Sequence, residues 1–73
     1  MKLGYKQKEV LRFVEKYGYV GLWMAEKLYT SSIARQTLRG LVVAKILKIG
    51  ENNGLKVWIP DVEFHNYINK LDN

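Results

Sequence analysis

The hydrophobic period changes once along this chain, and that change limits what it can fold into. From Thr30 to Lys48 (TSSIARQTLRGLVVAKILK), Ala34, Leu38, Leu41 and Val42 recur at helical spacing, which predicts an amphipathic helix with one apolar stripe. Beyond it the period is two. Leu47 and Ile49, then Leu55, Val57 and Ile59, alternate with Lys48, Lys56 and Trp58. Between these runs lies Gly50-Glu51-Asn52-Asn53-Gly54, a cluster of residues that tolerate positive φ. The pattern predicts a helix over 31–44 followed by a β-hairpin over 46–59 with a polar loop.

Three hydroxyl residues open this helix. Thr30, Ser31 or Ser32 can cap it by accepting a bond from a free backbone N–H. Its polar side carries Ser32, Arg35, Gln36 and Arg39. No acidic residue occurs from Thr30 to Gly50, while Arg35, Arg39, Lys45 and Lys48 supply four positive charges. A helix buried on one side and offering arginine, glutamine and serine on the other has the groups that read base edges and phosphates. The same periodicity also describes an ordinary solvated surface helix.

Upstream, Val10, Leu11, Phe13, Val14 and Tyr17 predict a first helix over 5–17, closed by Gly18 in the left-handed conformation. Tyr19 and Val20 form a short connector or a single bridging strand. Residues 21–29 read as a second helix with Met24, Ala25 and Leu28 turned inward. Downstream, Pro60 ends the second strand and Asp61 is placed to cap a final helix over 61–71. Phe64, Tyr67, Ile68 and Leu71 lie there at i, i+3, i+4 and i+7, a narrow apolar seam. The fold class is α+β, in one domain spanning 1–73.

Seventy-three residues are close to the lower limit for a self-sufficient core. Cysteine is absent, and the single histidine, His65, has no carboxylate cluster near it in sequence, so neither a metal site nor a cofactor is expected. No serine or threonine has an evident base and no G-x-x-x-x-G-K phosphate loop occurs, so the chain does not read as an enzyme. No apolar run approaches the roughly 18 residues of a membrane span, and a cytoplasmic protein without membrane attachment is expected. A small-molecule effector is not expected either, since so short a chain offers little pocket volume.

The net charge of +5 is unevenly spread. Six basic and three acidic residues fall in 1–30, five and one in 31–60, and one and three in 61–73. This polarity suits a polyanion binder whose tail faces away from the ligand.

The order helix, helix, helix, hairpin, with the third helix basic, resembles winged helix-turn-helix DNA-binding domains. SSIARQTLRGLVVAKIL is similar to that family's third helix and its exit into the wing: Ser31 or Ser32 starts the helix, Leu38 and Leu41 hold the core, and Ile46 with Leu47 opens the strand. VGLWMAEKLY resembles the second helix, through Met24, Ala25 and Leu28, and LKIGENNGLKVWIP resembles a wing. The likeness covers residues 5–60. One position departs from it: the family has glycine before the aliphatic pair, and this chain has Lys45, so a strained or extended Ala44 or Lys45 is expected at the helix exit. Compact chains rich in lysine and tyrosine are also similar to single-domain regulators carried by archaeal viruses and plasmids.

The resemblance implies that the third helix enters the major groove of double-stranded DNA. Arg35 and Arg39 are then candidates for guanine and Gln36 for adenine, although either arginine is equally suited to phosphate. Thr30, Ser31 and Ser32 either bind phosphate at the helix N-terminus or serve only as caps. Asn52, Asn53 and Lys56 present the wing to the backbone or minor groove, with Lys48 adding attraction; a plain solvated turn fits the same residues. Trp58 either stacks on the tail helix or joins a dimer contact. Gly40 and Val43 are small and apolar for a DNA-facing side and mark where the helix leaves the groove. In stand-alone members of the family a terminal helix often builds the dimer, which assigns Phe64, Tyr67, Ile68 and Leu71 to a homodimer interface. The implied function is sequence-specific DNA binding by a homodimeric transcriptional regulator. The alternatives are a winged-helix protein-interaction module without DNA binding and a non-specific architectural DNA-binding protein.

Overall fold

Thirteen residues with Val10, Leu11 and Val14 on one face form α1 (Tyr5–Tyr17), and all three side chains are buried. Gly18 ends the helix at φ +86°, its N–H donating to the Val14 carbonyl at 2.8 Å. The computed structural model describes residues 3–69. Leu71, the last member of the predicted tail seam, lies outside them.

After β1 (Val20–Gly21), the second helix is shorter than its sequence predicts. α2 comprises Leu22–Ala25 only. Beyond it the Lys27 and Leu28 N–H groups donate three residues back, to Met24 and Ala25, so the coil tightens into turns before Tyr29. That change in pitch rotates Leu28 outward, where it is exposed instead of packed inward; Ala25 is fully buried as expected.

α3 (Ser31–Val43) buries Ala34, Thr37, Leu38 and Leu41. The Thr37 hydroxyl, on the buried side, donates to the Ile33 carbonyl at 2.8 Å. The helix closes one residue earlier than the period predicts, with a Schellman motif. Ile46 N–H donates to the Leu41 carbonyl and Lys45 N–H to the Val42 carbonyl, each at 3.0 Å. Lys45 holds φ +60°, the conformation that glycine adopts without penalty. The strain expected at the exit is therefore present, and it falls on Lys45; Ala44 stays at negative φ.

β2 (Leu47–Asn52) and β3 (Leu55–Pro60) pair antiparallel in register from Leu47 opposite Pro60 to Asn52 opposite Leu55. The strands run further than the five-residue loop read from sequence, and the turn is Asn53-Gly54 alone. Positive φ at both (+53° and +80°) is the two-residue geometry that matches strand twist. Gly50 sits in the strand for a steric reason: a Cβ there would come within 2.8 Å of Ile59. β3 is central in the order β1-β3-β2, and Val57 is paired to Gly21 on one side and Gly50 on the other.

The main core joins Val10, Leu11 and Val14 of α1, Val20 of β1, Leu38 and Leu41 of α3, and Ile46 and Leu47 at the hairpin base. Phe64 and Ile68 of α4 (Phe64–Ile68) complete it. This corrects two expectations for the tail. The helix begins at Phe64, because Asp61 accepts from the adjacent Val62 N–H (2.7 Å) and residues 61–63 form a turn. Phe64 and Ile68 face this chain's own core at 6% and 7% exposure, so they are not free to form a dimer seam; Tyr67 packs partly buried beside them.

Candidate nucleic-acid interface

Every predicted residue of α3 that was assigned to a ligand is exposed. Ser32, Arg35, Gln36 and Arg39 line the side away from Ala34, Leu38 and Leu41. Ser31, at i−3 from Ala34 and i−7 from Leu38, lies on the buried residues' side and is exposed because it is in the first turn. Thr30 settles the choice among the hydroxyls: it is the N-cap, its Oγ1 accepting from Ile33 N–H at 3.4 Å. Ser31 and Ser32 stay on the surface of the first turn. At about 1.5 Å per residue the helix is roughly 20 Å long, and a helix fits a major groove about 12 Å wide.

A tyrosine–carboxylate contact fixes how the chain enters this helix. Tyr29, one residue before the cap, donates its hydroxyl to Glu9 Oε2 on α1 at 2.8 Å. Burial first, and then the Glu9 contact, push the Tyr29 hydroxyl up to about 12. Glu9 is held below the ordinary glutamate range by hydrogen bonds from Tyr5 and Tyr29. Lys6 Nζ lies 5.7 Å from the centre of the Tyr29 ring. The start of α3 is thus tied to α1, and its end is tied to the hairpin by the Schellman turn.

Between α3 and the hairpin runs a groove of about 500 Å³, lined by Arg35, Arg39 and Lys56 together with Leu22, Val42, Ile49 and Trp58. None of these residues is acidic, and among the described residues Arg35 and Arg39 have no ion-pair partner. Arg35, Arg39 and Val42 (i, i+4, i+7) form the side of α3 turned toward the hairpin. Ile49 and Trp58 are directly paired across the strands and so share a face. Lys56 Nζ stands 5.2 Å from the Trp58 ring centre. The volume falls inside the roughly 300–1,000 Å³ of ordinary ligand sites, so chain length is no argument against an effector.

The sequence leaves Trp58 between the tail helix and a dimer contact; the structure places it in the groove beside α3. The signal was available. Register through Asn53-Gly54 puts Trp58 opposite Ile49, on the same face as Lys56, but the longer loop inferred from composition hid that register. Lys48 alternates to the other face of β2 from Ile49 and does not join the groove. Asn52 and Asn53 are at the hairpin tip, away from α3's exposed row in sequence and in element. Gly40 faces Gln7 of α1, where a Cβ would lie 3.0 Å from the amide nitrogen, and Val43 is 78% exposed. The described residues contain no helix long and apolar enough to cross a membrane and no group of three or more metal-binding side chains.

No protein-family model matches the sequence, and no protein of curated function does. Solved structures do match in shape. A MarR family protein from Bacillus stearothermophilus superimposes with a TM-score of 0.84 at 7% identity, over 99% of this chain and 53% of its own. MarR of Staphylococcus aureus, solved with salicylate and kanamycin, gives 0.78 at 19% identity, over 96% and 50%. BpsR of Bordetella bronchiseptica, whose DNA binding is regulated by 6-hydroxynicotinic acid, gives 0.79 at 15% identity, over 94% and 53%. The chain spans about half the length of each of these proteins. With three helices, a bridging strand and a two-stranded hairpin in the same arrangement, the fold of this chain is the winged helix-turn-helix.

Proposed function

We propose that this chain binds double-stranded DNA in a sequence-specific manner and acts as a transcriptional regulator. α3 enters the major groove, and the hairpin tip at Asn52 and Asn53 rests on the adjoining backbone or minor groove. The observation that carries the reading is the exposed row Ser32, Arg35, Gln36 and Arg39 on a helix backed by the core and flanked by a hairpin, with no acidic residue from Thr30 to Gly50. Ser31 and Ser32 sit where free helix N–H groups favour a phosphate, and Lys48 and Lys56 add positive potential. The likeness in fold to BpsR, a protein whose DNA binding is itself regulated, supports this reading.

Two copies related by a two-fold axis present their third helices to half-sites about 34 Å apart. Because Phe64 and Ile68 are taken up by the protomer core, the surface joining the copies excludes them.

The test is selection of bound duplexes from a random pool, followed by titration between about 50 and 200 mM salt. The expected result is a palindromic site with one-turn half-site spacing and affinity that falls steeply with salt. Uniform binding to all duplexes indicates an architectural protein. Absence of duplex binding at low salt favours the protein-interaction module and overturns the proposal.

A further inference from the structure

Cationic side chains on a DNA-binding helix do two different jobs, and the direction in which they leave the helix separates them. A side chain on the outermost line of a helix lying in the major groove meets base edges. One that leaves toward a flanking element meets the sugar–phosphate strand bordering the groove, since that strand has to pass between the helix and anything placed beyond it. In this fold the flanking element is the hairpin, and the space in between is the groove formed by α3, β2 and β3.

Arg35 and Arg39 both line that groove, facing Lys56, with Ile49 and Trp58 as its apolar wall. Three cations converge on a channel with no acidic side chain, so the charge fits a polyanion running along it. The apolar wall suits the deoxyribose edge of the strand: Ile49 is 57% exposed, and one side of the Trp58 indole is covered by the Lys56 ammonium. Ser32, Gln36 and Val43 lie at i, i+4 and i+11, on the outward line of α3 and outside the groove lining. Val43, which the sequence alone places where the helix leaves the groove, is the most exposed large apolar side chain of the described residues. It stands on this outward line, so it matches the one apolar mark in the major groove, the thymine methyl.

From this arrangement, and resting on the DNA-binding reading above, we infer that Arg35, Arg39 and Lys56 grip the phosphates of one strand in the groove, with Trp58 against its sugars. Sequence is then read by Gln36 and Val43. The two arginines set affinity and register, and the glutamine and valine set specificity.

The test uses the selected duplex and the full chain. Arg35→Ala and Arg39→Ala each weaken binding by the same factor on the selected duplex and on every single-base-pair variant of it. Each also makes the salt dependence shallower by about 0.9 in the log–log slope. Gln36→Ala and Val43→Ala leave that slope unchanged and remove the preference at one A·T position each; for Val43 this is the position where uracil in place of thymine no longer matters. In a Trp23→Phe background the remaining Trp58 emission is quenched on adding duplex. The inference is overturned, with DNA binding intact, if Arg35→Ala or Arg39→Ala becomes indifferent to 7-deazaguanine at one guanine. Trp58 emission blind to a duplex that is demonstrably bound also overturns it. If the unmodified protein binds no duplex, the functional proposal itself falls.

Discussion

Lys45→Gly should stabilise this protein, and the amount follows from one backbone angle. Lys45 sits at φ +60° between the end of α3 and the start of β2. An L-residue pays about 1–2 kcal/mol there relative to a right-handed conformation, because its Cβ crowds the following carbonyl oxygen. Glycine pays nothing for the angle, but loses about 0.5–1 kcal/mol in extra chain entropy on folding. The Lys45 side chain is exposed and its removal forfeits no buried area. The difference is a gain of about 0.5–1 kcal/mol, or roughly 2–8 °C in Tm for a domain of this size. Urea and thermal unfolding of three variants isolate the cause. Lys45→Ala keeps the strain and should lie close to the parent, while Lys45→Val, β-branched, should fall below it. If Lys45→Gly and Lys45→Ala shift stability equally, the effect belongs to the charge and the strain argument is refuted.

Thr30→Ala removes the only side-chain cap on α3 and should cost about 1 kcal/mol, measured as the urea midpoint. Leu38→Ala opens a cavity where α3 meets the core and should cost about 2–5 kcal/mol in the same assay. Gly50→Ala places a methyl within 2.8 Å of Ile59 Cδ1, the end of a side chain that can turn aside, and should cost about 0.5–1.5 kcal/mol, the strain of shifting that rotamer. The Tyr29–Glu9 contact has a pH signature. Tyr29 is raised from 10.0 to about 12, so its contribution is complete below pH 10.0 and is lost as pH rises through about 12. Glu9 is lowered, so its contribution is present above its ordinary 4.5 and is lost on acidification. Stability profiles of Tyr29→Phe should show a smaller alkaline decline, part of the remainder coming from Tyr5, whose hydroxyl pKa Glu9 also raises, and a shallower acid one; an unchanged alkaline limb contradicts the assignment.

The elements most legible in the sequence were those with a strong period and an unambiguous stop. α1 ends where Gly18 says it must, and α3 shows its buried and exposed sides in Ala34, Leu38 and Leu41 against Arg35, Gln36 and Arg39. The errors came where local chemistry allowed two geometries. Residues 26–29 keep a helical composition, yet i→i+3 bonding turns Leu28 outward. Gly50 looked like loop because glycine tolerates any φ, whereas here it leaves room for Ile59 within a strand. Phe64 and Ile68 showed an apolar seam without showing what it faces, and periodicity alone cannot distinguish a chain's own core from a partner. Trp58 could not be placed until the hairpin register was fixed.

The position of Lys45 connects the fold to the proposed docking face. The carbonyls of Lys45 and Ile46 accept from Glu63 and Asp61 N–H, at 3.0 and 2.9 Å, so the helix exit is braced by the segment following β3. The Schellman bonds brace it from the α3 side. The angle between α3 and the hairpin is therefore held by backbone hydrogen bonds on both flanks, independent of the side chains in the groove. On the proposed DNA-binding reading, a cleft held in this way keeps Arg35, Arg39 and Lys56 along one groove in the free protein, ready for a phosphate strand. The strain at Lys45, about 1–2 kcal/mol, persists because it is small beside the core and the backbone bonds that fix the exit.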